Sequence, residues 1–124
     1  MKYPMTIGNL IECFKKLPGI GEKTAERYAL SVLDLDDDVL NLFADSLVNV
    51  KKRIKRCKKC YNLTENEYCE ICSDATRDQK TICVVEEAKN IMSFEKAGTY
   101  HGVYHVLNGL ISPLDGINPE DINL

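Results

Sequence analysis

Four cysteines in two closely spaced pairs carry the most specific chemical signal in this sequence. Cys57 and Cys60 form one C-x-x-C pair, and Cys69 and Cys72 form a second pair after eight intervening residues. Two such pairs can bring four thiolates around one tetrahedral Zn²⁺. Because protein would fill all four positions, no open position remains for a catalytic water, so the predicted zinc is structural, with one ion per chain.

Two other interpretations of the cysteines are a redox-active pair and two disulfides. The paired arrangement argues against both, as does the first segment, Met1–Leu10, which lacks the apolar run and cleavage site of a secretion signal. No stretch is apolar enough to span a membrane, and we expect a cytoplasmic protein in a reducing compartment. The remaining cysteines, Cys13 and Cys83, are predicted to be small buried hydrophobic residues.

A glycine-containing turn between two helical patterns is the second chemical signal. The turn is Pro18–Gly21, with two glycines free to adopt positive φ, and a new helix begins directly after it. The first amides of such a helix have no partner within the helix and attract phosphate. Gly19 and Gly21 would let a nucleic-acid backbone approach, and Lys23 and Arg27 would lie on one helix face beside it. Such contacts reach phosphates and not bases. The alternative is an αα-hairpin whose glycines only permit close packing.

Basic residues are concentrated before and within the cysteine segment. Seven of the ten residues from Lys51 to Cys60 are Lys or Arg, and residues 1–62 carry 12 basic and 8 acidic side chains against 4 and 11 in residues 63–124. This run either complements the dipole of a helix end or faces phosphates, and the sequence leaves both possibilities open. The first half therefore suits a polyanion, and the acidic second half suits a partner protein or a divalent cation.

Glu86 is the remaining candidate for chemistry. It follows an apolar strand pattern and would stand at the carboxyl end of that strand, where it could contact a partner or hold Mg²⁺. The other carboxylates available to such a site, Asp115, Glu120 and Asp121, form no pattern with it. We find no nucleophile, base and orienting group together, so the sequence predicts a protein that is not an enzyme.

Hydrophobic periodicity predicts the elements that position these residues. A chain of 124 residues holds one ordinary core or two to three small modules. Helical spacing predicts three N-terminal helices, and strand, helix and strand patterns after the cysteines predict a βαβ unit with a buried first strand and a parallel pair. His101 and His105, at the start of the second strand, are predicted to pack or to form hydrogen bonds. The predicted spans are a helix from Ile7 to Lys16 capped by Thr6, helices over 22–33 and 37–55, a strand over 81–85, a helix over 88–97 and a strand over 103–107.

These motifs, taken in order, resemble the RecR family of recombination mediators. The matching segments are Leu-Pro-Gly-Ile-Gly at 17–21, the four cysteines, Arg77-Asp78, Cys-Val-Val-Glu at 83–86, Tyr-His-Val-Leu-Asn-Gly at 104–109 and Ser-Pro-Leu-Asp-Gly at 112–116. The resemblance implies an α+β, multi-module fold with a helix-hairpin-helix DNA-binding domain at 1–55, a four-cysteine zinc finger at 56–78 and the N-terminal part of a Toprim domain at 79–124.

The resemblance also implies a function. Members of this family form ring-like DNA clamps that act with RecO and RecF in recombinational repair, and Glu86 matches the acidic residue on the first Toprim strand. Family members are longer than this chain, so we expect its Toprim domain to be a fragment. We therefore expect a non-catalytic, sequence-independent DNA-binding protein. The alternatives are a Toprim-type, Mg²⁺-dependent nuclease fragment and an assembly module that binds only protein.

Self-association is expected from the third helix. Its pattern places Phe43, Leu47, Val50 and Ile54 at helical spacing in a chain too short to bury several amphipathic helices. We therefore expect at least a dimer through the N-terminal helices.

Overall fold

The computed structural model describes residues 2–109 and 113–124, with only the backbone described at Pro113. Ser112, the first residue of the last motif given above, lies outside the described residues. The chain divides into two compact units, Met1–Asn49 and Val50–Leu124, which are described separately below. Among the described residues, no helix combines the length and the apolar character needed to cross a membrane.

The first unit is helical. Helix α1 covers Met5–Lys15 and helix α2 covers Glu22–Ser31, followed by a 3-10 turn at Val32–Asp34. The buried core of this unit is Ile11 with Ala25 and Ala29, whose small side chains lie one turn apart on α2 and let the two helices pack closely. Side chains partly buried against this core are Tyr3, Ile7, Leu10, Phe14 and Ile20.

The predicted start of the first helix is wrong. Pro4, not Thr6, is the residue at the N-cap of α1, with φ −51° and ψ 147°, and no side chain caps the helix. The amide of Gly8 donates the first helical hydrogen bond to the Pro4 carbonyl at 3.0 Å. Proline suits a helix start because it lacks an amide hydrogen, which would have no helical partner there. Thr6 therefore lies inside the first turn.

Helix α3 covers Asp37–Arg53 and has no buried residue. Its acidic first turn and basic last turn complement the helix dipole, as the sequence indicates. The helix ends two residues before the predicted boundary, because Lys55 belongs to a strand. The large apolar side chains of α3, all exposed within the single chain, are Val39, Leu40, Leu42, Phe43, Leu47, Val48 and Val50.

The second unit contains two small sheets. Strand β1 (Lys55–Arg56) pairs antiparallel with β2 (Leu63–Thr64), a hairpin that hydrophobic periodicity did not predict because each strand has only two residues. Strand β3 (Asp78–Val85), helix α4 (Ala88–Ala97) and strand β4 (Gly102–Val106) form the predicted βαβ unit. β3 and β4 are parallel, with Val85 opposite Val106. The α+β architecture expected from the sequence is confirmed.

The β3 strand is not buried as predicted. Val85 is 6% exposed, whereas Ile82 and Val84 are each 59% exposed. The apolar cluster of the βαβ unit is Val85, Ile91, Tyr104 and Val106, with Cys83 packed against it. Successive side chains of a strand point to opposite faces, so only one face of β3 contributes to this cluster.

Candidate zinc centre and phosphate-binding hairpin

The four paired cysteines converge on one point. The Sγ atoms of Cys57, Cys60, Cys69 and Cys72 all lie within 4.8 Å of one another. The Sγ atoms of Cys60 and Cys69 are 3.5 Å apart. A tetrahedral zinc with bonds of about 2.3 Å to sulfur places its ligands about 3.8 Å apart, so the four sulfurs have the spacing that the ion requires.

Backbone amides surround these sulfurs. The Cys69 amide donates to Cys57 Sγ at 3.2 Å, and the Asn62 amide donates to Cys60 Sγ at 3.4 Å. The Cys72 amide donates to Cys69 Sγ at 3.4 Å. Hydrogen bonds to the charged form of a group stabilise it, so these amides favour thiolates. The backbone around the cysteines thus prepares the sulfurs for a metal.

Burial opposes the ionisation of three of these thiols, those of Cys57, Cys60 and Cys72. Burial raises the pKa of Cys60 above its ordinary value and raises the pKa of Cys72 to about 12, where neighbouring thiols also contribute. Burial acts in the same direction on Cys57, but backbone amide donors outweigh it and lower the pKa of Cys57 to about 6. Four thiolates therefore need a compensating cation, and Zn²⁺ provides that charge while displacing the protons. The donor set and its spacing fit a structural zinc.

The zinc module, residues 57–72, is joined to the βαβ unit by backbone and side-chain contacts. The Val106 amide donates to the Cys60 carbonyl at 2.8 Å, so the end of β4 is fixed to the first cysteine pair. Tyr61 and Ile71 pack against the apolar cluster of the βαβ unit. The module therefore has one side covered by an apolar core that it does not supply itself.

The hairpin between α1 and α2 has the expected turn with one difference. Gly19 has φ +80°, but Gly21 is extended, with φ −90° and ψ −175°, and stands at the N-cap of α2. Only Gly19 therefore needs the left-handed conformation that favours glycine. The Gly21 carbonyl accepts the first helical hydrogen bond from Ala25 at 2.9 Å. No side chain caps α2, which leaves its first amides without a side-chain acceptor.

Lys23 and Arg27 lie one turn apart on α2, and both are exposed. Within the part of the chain that the structure describes, Lys23 has no ion-pair or hydrogen-bond partner for its ammonium group. The Arg27 guanidinium carbon lies 5.6 Å from the centre of the Tyr28 ring, a cation–π contact that leaves its hydrogen-bond donors available. Lys15 forms an ion pair with Glu22 at 2.7 Å, which offsets the one acidic side chain at the helix start.

Glu86 is exposed and directly follows β3. Its carbonyl accepts a hydrogen bond from Gly109 at 3.1 Å. Over residues 2–109 and 113–124, the four cysteines are the only set of three or more acidic, histidine or cysteine side chains placed to share a metal ion. The structure therefore does not bring Glu86 together with Glu120 or Asp121 as ligands.

The two cysteines outside the pairs differ in burial. Cys13 is exposed, so the prediction of a buried residue is wrong, because it lies about 200° around α1 from the buried Ile11. Cys83 is half-buried against the βαβ core.

His105 Nε2 lies 3.0 Å from the Asn123 carbonyl, and the carbonyl of the exposed His101 accepts from the Asp78 amide at 2.8 Å. The predicted hydrogen-bonding role is confirmed for the His105 side chain, whereas the contact of His101 involves only its backbone.

Sequence reasoning missed a network of three polar side chains. Arg77 forms an ion pair with Glu95, and it donates to the Gly102 carbonyl at 3.2 Å. The Tyr104 hydroxyl donates to Glu95 Oε2 at 2.5 Å. The hydrogen bonds from Arg77 hold the pKa of Glu95 below its ordinary value, whereas burial and then the bond to Glu95 raise the pKa of Tyr104. A signal existed, because Glu95 continues the helical spacing of the buried Ala88 and Ile91.

The geometry thus defines a modular α+β protein with a glycine hairpin between helices, a four-cysteine zinc centre and a parallel βαβ unit. Family profiles divide the chain in the same order. Residues 7–51 match the RecR helix-hairpin-helix, residues 54–74 match the RecR four-cysteine zinc finger domain, and residues 80–124 match a Toprim domain.

Curated relatives give the same assignment. The chain is 52% identical to "Recombination protein RecR" of Lactobacillus delbrueckii subsp. bulgaricus and covers 62% of that protein. It is 52% identical to the protein of the same name from Staphylococcus saprophyticus and 50% identical to that of Streptococcus suis, covering 63% of each. All three matches include the whole of this chain. The chain is thus similar to RecR proteins along its whole length and spans about three fifths of the length of these relatives.

Proposed function

We propose that this chain is a non-catalytic, sequence-independent DNA-binding component of recombinational repair. Its DNA-contacting residues would be Gly19, Gly21, Lys23 and Arg27. The observation that carries this proposal is the uncapped start of α2, which follows the Gly19 turn and has two exposed cations one turn apart. Uncapped helix amides and cations both favour phosphate, and neither reads bases.

The relatives' role suggests how the modules would share the work. We propose a DNA-binding domain at 1–55, a zinc finger at 56–78 that keeps its fold through Cys57, Cys60, Cys69 and Cys72, and a Toprim segment at 79–124. Members of the family act as clamps with RecO and RecF, and we extend these partners to this chain. Glu86, exposed at the end of β3, would contact a protein partner.

Self-association would complete this arrangement. Helix α3 exposes Phe43, Leu47 and Val50, at 44%, 63% and 64% of their surface. Exposed apolar side chains at helical spacing favour contact with another apolar surface, so we propose at least a dimer through the N-terminal helices. A native mass measured at micromolar concentration tests this, and a monomeric mass would contradict it.

DNA binding is tested by removing the hairpin cations. Lys23→Ala combined with Arg27→Ala should weaken binding to all duplex sequences about equally and reduce the slope of log affinity against log salt by about 1.8, which corresponds to two phosphate contacts. The control removes two exposed lysines elsewhere, Lys80→Ala with Lys96→Ala, for the same change in net charge. An equal effect of both variants would show that net charge, and not the hairpin, determines binding.

The competing functions give different results in the same assays. Cleavage of DNA in Mg²⁺ that Glu86→Gln abolishes would identify a nuclease. Undetectable DNA affinity at low salt would identify a module that binds only protein.

A further inference from the structure

The basic run that begins at the end of α3 is not uniform in the structure. The last three cations of the run each form a hydrogen bond or an ion pair with another side chain or carbonyl. We call these three residues, Arg56, Lys58 and Lys59, the tethered cations. Arg56 donates to the Tyr61 carbonyl and to Asn108 Oδ1, each at 3.2 Å, and its guanidinium carbon lies 5.0 Å from the centre of the Tyr61 ring. The Arg56 guanidinium is therefore held within the fold by two hydrogen bonds and a ring contact.

The two lysines of this group are also held. Lys58 forms an ion pair with Glu67 at 3.0 Å, and Lys59 donates to Gln79 Oε1 at 2.8 Å. An incoming phosphate would have to compete with these contacts. The cations nearest in sequence to the cysteines are thus engaged by the zinc module and by β3.

The first four cations differ from these. Lys51, Lys52, Arg53 and Lys55, the open cations, are all exposed, and over residues 2–109 and 113–124 their side chains have no ion-pair, hydrogen-bond or ring partner. No Asp or Glu stands in the sequence between Asp45 and Glu65 to offset them. Complementing the helix dipole concerns only cations within the last turn of a helix, and Lys55 already lies beyond that turn, in β1.

We propose that the open cations form a second phosphate-binding surface, separate from the hairpin, that contacts the backbone of duplex DNA. The inference rests on the proposed DNA-binding function and deepens it. Four unpaired cations without an intervening acid match a polyanion, and no aromatic side chain stands among them to stack on unpaired bases. The contacts are therefore with phosphates, without base specificity.

The closing experiment compares pairs of equal charge. Lys52→Gln with Lys55→Gln should reduce the salt-dependence slope on a fluorescent duplex by about 1.8, and Lys58→Gln with Lys59→Gln should reduce it by less than about half of that. Zinc content of one ion per chain shows that each variant is folded. A reduction by the Lys58 and Lys59 pair that equals or exceeds that of the Lys52 and Lys55 pair would overturn the proposal.

The hairpin variant separates this inference from the proposed site. If Lys23→Ala with Arg27→Ala leaves the slope unchanged while the Lys52 and Lys55 pair reduces it, the hairpin assignment fails and the second surface stands. If the Lys52 and Lys55 pair leaves the slope unchanged but lowers the native mass, these cations pair with the acidic start of α3 in another copy, and the proposal is overturned. Unchanged slope and unchanged mass would overturn it as well.

Discussion

The zinc module and the βαβ unit are neighbours in the second unit, but they bury different chemistry. The buried cluster of the zinc module consists of Cys57, Cys60 and Cys69, whereas that of the βαβ unit is mainly aliphatic, with Ile91 and Val106 both 0% exposed. The zinc module is stabilised by cysteines that bind a metal, and the βαβ unit is stabilised by the removal of apolar surface from water. Adjacent segments of one short chain thus reach stability by two routes.

The largest expected effect comes from replacing one of the zinc ligands. Cys69→Ser should reduce bound zinc from one ion per chain toward none and unfold residues 57–72, because that segment has few apolar residues of its own. Metal analysis combined with hydrogen exchange measures both. The matched control is Cys13→Ser, which makes the same replacement at an exposed cysteine and should leave both quantities unchanged. Retained protection of residues 57–72 in Cys69→Ser would show that the module does not depend on its metal.

The second-largest effect is expected from truncating a buried side chain in the apolar cluster of the βαβ unit. Ile91→Ala should lower the free energy of unfolding by about 2–5 kcal/mol, since the side chain is fully buried. Met92→Ala, on the next residue but 49% exposed, should cost much less. Chemical denaturation gives both values. Zinc content should stay at one ion per chain in both variants, and zinc loss in Ile91→Ala would mean that the two regions unfold together.

A smaller effect comes from the ion pair between Arg77 and Glu95. Glu95→Gln should cost about 1–2 kcal/mol at neutral pH by removing a charged acceptor of two side chains. The pKa of Glu95 is depressed below 4.5 in the folded protein, so its stabilisation is complete above that value and is lost as the pH falls through the folded pKa. The difference between the wild-type protein and the variant should therefore shrink on acidification.

Comparing the two proteins at each pH controls for loss of zinc in acid, which affects both. Their free energies of unfolding are measured by denaturant titration across the acid range. A difference that stays constant below pH 4.5 would contradict the charged role of Glu95.

The smallest effect concerns the outer face of β3. Ile82→Thr should change the free energy of unfolding by less than about 0.5 kcal/mol because the side chain is 59% exposed. Val85→Ala, in the same strand but 6% exposed, should cost more than about 1 kcal/mol, the value of a small cavity. Thermal unfolding of the two variants checks this order. A large cost for Ile82→Thr would mean that another surface covers this face in solution.

The sequence predicts well what depends on local spacing. The convergence of the four cysteines follows from two short pairs, and the bounds of α4 agree with its predicted span because apolar residues recur at helical spacing between the capping Glu87 and Gly98. Gly98 has φ +71°, the left-handed conformation that ends many helices. The parallel pairing of β3 and β4 follows from the helix that connects them.

Features that depend on contacts between residues far apart in the sequence could not be predicted. The exposure of Ile82 and Val84 depends on what covers each face of the sheet, which strand composition does not reveal. Helical spacing places Glu95 in line with the buried Ala88 and Ile91, but its partners Arg77 and Tyr104 come from other segments and could not be predicted. The basic run appears homogeneous in the sequence, and only the positions of Glu67 and Gln79 divide it.

The hydrogen bond from Val106 to Cys60 has a consequence for the order of folding. The zinc ligands lie within a short loop, so the metal closes a local segment at low entropic cost. The Val106 amide must instead return across the whole βαβ connection before it meets the Cys60 carbonyl, a contact of much greater sequence separation. Contacts of long separation slow folding. We therefore expect the zinc-binding segment to fold early and the hydrogen bond between Val106 and Cys60 to form late. The overall folding rate would then depend on how fast β4 reaches the folded zinc module.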